Sequence, residues 1–243
     1  YIDGSEHTQV LSAETLKVAD IETWFTASSI KEIEIPDNVV TLEESFCQSS
    51  FSALQKISIG KNLKNITGNK IYYSFGNAYN PDNRSILETI IVDERNEYFE
   101  VIDNVLFSEN LETLYLYPAQ KTSTNYTIPN GVKYINQYAF SDNFYINTIE
   151  FPSSIVKIGN STFQSCINLE KVTTNNGLQK IEALAFGNCP KLKNLNIHKS
   201  ILEIGNNVFN NCNELVSIVF EGTIEECKTI NIYYHEYYGY AGK

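Results

Sequence analysis

Five cysteines and three histidines are the side chains of this sequence best suited to nucleophilic, redox or metal chemistry, and their spacing argues against all three. Cys166, Cys189 and Cys212 are evenly spaced, while Cys47 and Cys227 stand outside that series. Zinc needs ligands that converge on one point, and a row of equally spaced thiols is collinear. On successive strands such thiols would sit about 4.8 Å apart, against the ~3.8 Å between Cβ atoms that a disulfide wants. The row reads as buried, reduced thiols; the alternative is a disulfide involving Cys47 or Cys227. Free thiols usually accompany a reducing compartment, although a secreted protein of an anaerobe would also tolerate them. His7, His198 and His235 fall in different parts of the chain, with no nucleophile and orienting acid near any of them. The metalloprotease, redox, hydrolase, phosphate-loop and calcium-loop signatures are absent. Neighbouring acids such as Glu225–Glu226 and Asp93–Glu94 read as solvated charge. No catalytic residue, metal ligand or cofactor site is expected.

What positions these residues is a repeat. Phe140, Phe163, Phe186 and Phe209 recur with a constant step, the same one that separates the three evenly spaced cysteines. Ile149, Val172, Leu195 and Ile218 share it, as do Ile155, Leu178, Ile201 and Ile224. Within each unit the apolar residues fall as L-x-x-L-x-L, for example Leu192, Leu195 and Ile197, and the closing alternation is the signature of a strand. Each strand is too short to bury an apolar face alone, so successive units must stack into a parallel sheet. Ile155, Ile158 and Phe163, three to five residues apart, suit a short helical or 3₁₀ segment on the opposite, convex side. Earlier runs starting at Ile30, Leu54, Leu87, Leu111 and Ile146 extend the series to eight strands. Their uneven steps imply insertions at about residues 67–86 and 117–128, absorbed at modest entropic cost. Asp103–Asn104, between two apolar runs, predicts a hairpin turn.

These residues carry a family resemblance. Ile128-Pro129-x-x-Val132-x-x-Ile135-x-x-x-Ala139-Phe140, and Phe151-Pro152 through Ile158-Gly159, Phe163, Cys166 and Leu169, resemble the BspA-like leucine-rich repeat almost position by position. The stretch from Val101 through Tyr117-Pro118 to Ile128-Pro129 resembles that family's irregular interspersed unit. Together they cover roughly residues 30–230. Asn104 stands where the family usually has Gly, Asn143 where Cys is expected, and Thr174-Asn175 replaces Ile-Pro. The resemblance implies an α/β repeat solenoid, a right-handed superhelix with a parallel concave sheet, short convex helical segments and irregular inserts in the first half. It also implies a secreted or cell-surface, non-catalytic adhesion protein that engages a protein, such as host matrix or another cell's surface. Glycan capture and a structural spacer within a longer surface protein are the alternatives.

The chain of 243 residues is expected to form one domain, with residues 1–29 as an N-terminal cap or degenerate repeat and 30–230 as repeats. Tyr-rich residues 231–243 would follow as an aromatic cap, a sugar-stacking platform or the start of a further domain. It starts at Tyr1 and contains no Met, which suggests a trimmed segment. Net charge is −11 with 18 scattered basic residues, which disfavours nucleic acid and anionic lipid. No stretch approaches the roughly 20 apolar residues that span a bilayer. Asn65, Asn83, Asn125 and Asn160 head N-x-S/T sequons, which matter only in a eukaryotic secretory host.

Inward side chains are committed to the core, so binding falls to the outward rows of the concave sheet. One row runs through Ile91, Tyr115, Glu150, Thr173 and Asn196, and the strand ends carry Tyr117 and His198. Tyr115 and Tyr117 are the expected anchors, flanked by adaptable polar groups. The competing reading is that exposed tyrosines are ordinary in a chain with 16 of them, or that the neighbouring insertion covers them.

Overall fold

The alternation in Thr148–Ile149–Glu150 is the simplest statement of the fold: Ile149 is buried and Glu150 is exposed. A computed structural model of the chain describes residues 8–10, 31–42, 54–66 and 86–233. In chain order its strands begin with β1 (Thr8–Val10), β2 (Glu32–Ile35), β3 (Thr41–Leu42), β4 (Lys56–Ile59) and β5 (Asn65–Ile66). There follow β6 (Thr89–Val92), β7 (Phe99–Ile102), β8 (Val105–Ser108) and β9 (Thr113–Leu116). Next come β10 (Asn125–Thr127), β11 (Tyr134–Ile135), β12 (Thr148–Glu150), β13 (Lys157–Ile158) and β14 (Lys171–Thr173). The series ends with β15 (Lys180–Ile181), β16 (Asn194–His198), β17 (Glu203–Ile204), β18 (Ser217–Glu221) and β19 (Asn231–Ile232).

Each coil of the second half gives one strand to each of two walls. β10, β12, β14, β16 and β18 pair in parallel as the first wall. β9, β11, β13, β15, β17 and β19 pair in parallel as the second. The antiparallel hairpin β7–β8 extends the second wall beyond β9. Nearer the N-terminus, β1, β2, β4 and β6 form a parallel sheet of their own, and β3 pairs with β5.

The stacked rings run as the repeat demands. Ring centroids are 4.9 Å apart from Phe140 to Phe163, 5.2 Å from Phe163 to Phe186 and 5.9 Å from Phe186 to Phe209. Cys166, Cys189 and Cys212 are free thiols, each hydrogen-bonded to a backbone carbonyl one coil back: Phe140 at 3.1 Å, Phe163 at 3.0 Å and Phe186 at 3.0 Å. Burial raises the pKa of all three, most strongly for the deeply buried Cys166 and Cys189. Cys227 is also free and is exposed; Cys47 lies outside the described residues.

The expected α/β character with convex helices is corrected by the structure. Among the described residues the only helix is α1 (Ile224–Lys228), begun by a Thr223–Glu226 capping box. The opposite side of each coil is instead a short strand followed by tight turns. Tyr138, Ser161, Leu184 and Asn207, and likewise Asp142, Ser165, Asn188 and Asn211, all have positive φ and recur once per coil. A left-handed residue every fourth position cannot continue a helix. Each costs about 1 kcal/mol or more, which backbone bonds between coils offset at about 1 kcal/mol each. Ser161 N, Phe163 N and Ser165 N donate to the carbonyls of Ala183, Ala185 and Gly187 at 2.8–2.9 Å.

Two more expectations change. The run at 113–116 is not a rung beside β6 and β12, because Thr113 and Leu114 register with Tyr134 and Ile135 in the second wall. The first-wall rung beneath β12 is β10, inside the stretch assigned to an insertion at 117–128. The proposed insertion at 67–86 falls almost wholly outside the described residues.

The hairpin turn is where it was expected. Asp103 and Asn104 both have positive φ, at 48° and 62°, and join Ile102 to its partner Val105. Asn104 replaces Gly at little cost because its carboxamide reaches the next strand, donating to Glu88 O and accepting from Ile90 N at 2.9 Å. β8 buries residues on both faces, and accordingly reads Val-Leu-Phe without alternation. Val105 and Phe107 join the large core of the regular coils, and Leu106 joins the smaller N-terminal core.

Candidate binding faces

The outward column of the first wall is built by strand alternation alone. Glu150 registers with Thr173, and Asn196 with Val219; all four are exposed, Val219 at 49%. Hydrogen bonds tie the ends of the column: Thr127 Oγ1 to Glu150 at 3.2 Å, and Asn196 Nδ2 to Glu221 at 3.0 Å. His198 closes β16 opposite Glu221, half-buried, with its Nδ1 accepting from Ser200 N at 3.4 Å. Glu150, Thr173, Asn196 and His198 are thus brought onto one face.

The other residues expected to bind go elsewhere, for reasons of topology. Ile91 is 45% exposed but belongs to the N-terminal sheet, in register with Ser58. Tyr117 is corrected outright: it is 1% exposed and forms the first ring of the core ladder, stacked 4.6 Å from Phe140. Burial pushes its phenol pKa to about 12. Tyr115 lies in the second wall, half-buried and braced edge-on against Phe99 at 5.3 Å.

Tyr115 opens a recess of about 940 Å³ that the spacing of apolar residues did not reveal. It crosses six successive strands of the second wall, from β9 to β19. One column along it, by register, is Thr113, Tyr134, Lys157, Lys180 and Glu203. The column two residues on is Tyr115, Asn136, Gly159, Glu182, Gly205 and Tyr233. A Cβ on Gly159 would lie 2.6 Å from Gln137 N, and one on Gly205 2.4 Å from Ala183 N. Side chains are excluded at both, so bare backbone alternates with larger groups. Lys157 pairs with Glu182 at 2.8 Å and Lys180 with Glu203 at 2.8 Å; Lys180 also approaches Glu182 at 4.0 Å. The hydrogen bond to Glu203 raises the pKa of Lys180. The signal available in the sequence was the polar column Tyr134, Lys157, Lys180, Glu203, which keeps the same step as the core.

Among the described residues no group of three or more His, Cys, Asp or Glu side chains could hold a metal ion, and no helix is long and apolar enough to cross a membrane. Six copies of the BspA type leucine rich repeat region match residues 12–85 and 115–237, well over half of the sequence. The chain belongs to the BspA-type leucine-rich repeat family. The unmatched residues 86–114 contain the antiparallel hairpin β7–β8 as well as the parallel rung β6. Solved structures agree on the fold. A leucine rich cell surface protein from Faecalibacterium prausnitzii is 22% identical with a TM-score of 0.62, covering 86% of this chain and 65% of that one. Pneumococcal vaccine antigen PcpA is 23% identical with a TM-score of 0.58, covering 86% and 63%. A leucine-rich repeat protein from Eubacterium ventriosum is 22% identical with a TM-score of 0.55, covering 79% and 58%. The chain therefore spans less than two thirds of each of these structures. No curated protein matches it.

Proposed function

We propose that this BspA-type chain is a non-catalytic, secreted or cell-surface binding protein that presents the outer face of its first wall to a protein ligand. The observation that carries this reading is the exposed column Glu150, Thr173, Asn196 and Val219, flanked by His198; the inward residues of β12, β14 and β16 are taken up by the core, while Ile218 on the edge strand β18 is itself 46% exposed. It offers an apolar contact at one end and polar groups spaced at the strand separation, the composition of an adaptable recognition surface. The cell-surface description of the F. prausnitzii structure is consistent with display outside the cell.

Biolayer interferometry against immobilised fibronectin, fibrinogen and laminin tests it. At least one should bind, and the double substitution Thr173→Arg with Asn196→Arg should weaken that binding about tenfold or more, the loss of roughly 1.4 kcal/mol. Unchanged affinity in the double variant, or silence across the panel, would count against the reading and favour a structural spacer.

A further inference from the structure

The recess over the second wall has features that a protein-binding face does not need, and we infer that it is a binding site for a neutral, extended oligosaccharide. The inference is independent of the first-wall reading, because the two sites lie on different sheets.

Three properties select the ligand. The first is charge. Lys157, Glu182, Lys180 and Glu203 form a linked chain of two cations and two anions, so the middle of the recess is a fixed array of donors and acceptors with no net charge. An anionic or cationic ligand would have to break these pairs, whereas hydroxyl groups can bridge them. The second is aromatic surface at both ends. Tyr134 is 42% and Tyr233 56% exposed, four strand steps apart by register, and Tyr115 is held in place by Phe99. Exposed phenol rings offer an apolar face and a polar tip, which suits the C–H faces and hydroxyl edges of a pyranose. Amide side chains at Asn136, Asn160 and Asn206 line the same recess and supply both donors and acceptors.

The third property is the period. Strands of the wall are about 4.8 Å apart, so the five steps from β9 to β19 make a trough about 24 Å long. An extended peptide repeats its side-chain direction every ~6.7 Å and falls out of step with such a ladder within two strands. One unit of an extended β-(1→4)-linked glycan advances by nearly one strand step with alternate rings inverted, so every second sugar meets an equivalent position, the same two-strand period as Gly159 and Gly205. Gly159 and Gly205 are required by the close approach of the preceding coil's backbone, and as a consequence they add no side chain to the floor of the trough. A volume of about 940 Å³ is at the upper end for small-ligand sites, as a short oligosaccharide requires.

The test is isothermal titration calorimetry of the full chain with cellohexaose, mannohexaose, xylohexaose and chitohexaose, alongside oligogalacturonate and an uncharged extended decapeptide. The expected result is binding of at least one neutral hexasaccharide, weaker for its disaccharide. Raising salt from 50 to 500 mM should change the affinity less than about twofold, there being no counterions to release. Tyr134→Ala and Tyr233→Ala should each weaken binding about tenfold while leaving the thermal unfolding midpoint within about 2 °C. Failure of all four neutral sugars to bind would overturn the inference. So would binding of oligogalacturonate or the peptide in their place, or affinity indifferent to both tyrosine substitutions. Thr173→Arg with Asn196→Arg leaves the recess untouched, so loss of protein binding in that variant and loss of sugar binding in the tyrosine variants report on separate sites.

Discussion

The regular coils from Ile128 to Glu221 and the joint from Ile86 to Tyr117 solve one physical problem in two ways. In both, a coil must be sealed against its neighbour without stranding buried polar groups. Where neighbours are alike, a repeated side chain suffices: Phe stacks on Phe, and each Cys thiol donates to the carbonyl behind it. Where neighbours differ, a single asparagine replaces several residues. Asn143, fully buried, shares its two amide N–H groups among the carbonyls of Pro118, Ala119 and Lys121 at 3.1–3.2 Å and accepts from Tyr145 N and Ile146 N at 3.0 and 2.8 Å. Asn96 makes the same clamp, donating to Gly60 O and Leu63 O while accepting from Tyr98 N and Phe99 N. A lighter clamp also occurs inside the regular coils, where Asn175 reaches Phe151 O and Pro152 O and accepts from Gly177 N. Two of the three departures from the BspA-type pattern, Asn143 and Asn175, are therefore clamps, and the third, Asn104, is a turn residue that braces a neighbouring strand.

This contrast can be broken at its strongest point first. Phe163→Ala removes a ring stacked on both sides and should cost about 3–5 kcal/mol in urea unfolding. A loss below about 1 kcal/mol would mean the ladder is not the source of coil-to-coil cohesion. Next, Asn143→Ala orphans buried donors and acceptors and should cost about 2–4 kcal/mol. Asn143→Cys, which restores the family residue, should recover under about 1 kcal/mol of that, since one thiol cannot serve three carbonyls and two amides. Full recovery by Cys would erase the distinction between clamp and ladder. The smallest effect is expected at the hairpin. Asn104→Gly relieves a left-handed residue but loses two bonds, one to Ile90 in β6 and one to Glu88 just before it, for a net cost of about 1 kcal/mol. A stabilised variant would show that backbone strain outweighs the bracing.

The regular coils were legible because period and burial coincide: the Phe, Ile and Cys columns of the sequence are the columns of the core. The hairpin was legible from Asp103–Asn104. Which wall each strand joins was not, because a coil holds two inter-coil strands and the run Leu111, Leu114, Leu116 fits either. β10 carries only Tyr126 as an inward residue and gives almost no apolar signal. The supposed convex helix came from apolar residues three to five apart, a spacing that a short strand and tight turns with left-handed residues produce as well. The recess escaped notice because a polar column in a repeat protein ordinarily means solvent.

The constant offset between coils also makes the architecture extensible. Ser161, Phe163 and Ser165 hydrogen-bond to the coil ahead, and Leu184, Phe186 and Asn188 repeat the pattern one coil later. A whole-coil duplication would reproduce every such bond at its new boundary and add one residue to the Tyr134–Glu203 column. Copy number would then act as a ruler: unequal recombination within the gene lengthens or shortens the trough by one step at a time, changing the size of molecule it accommodates without redesigning any rung.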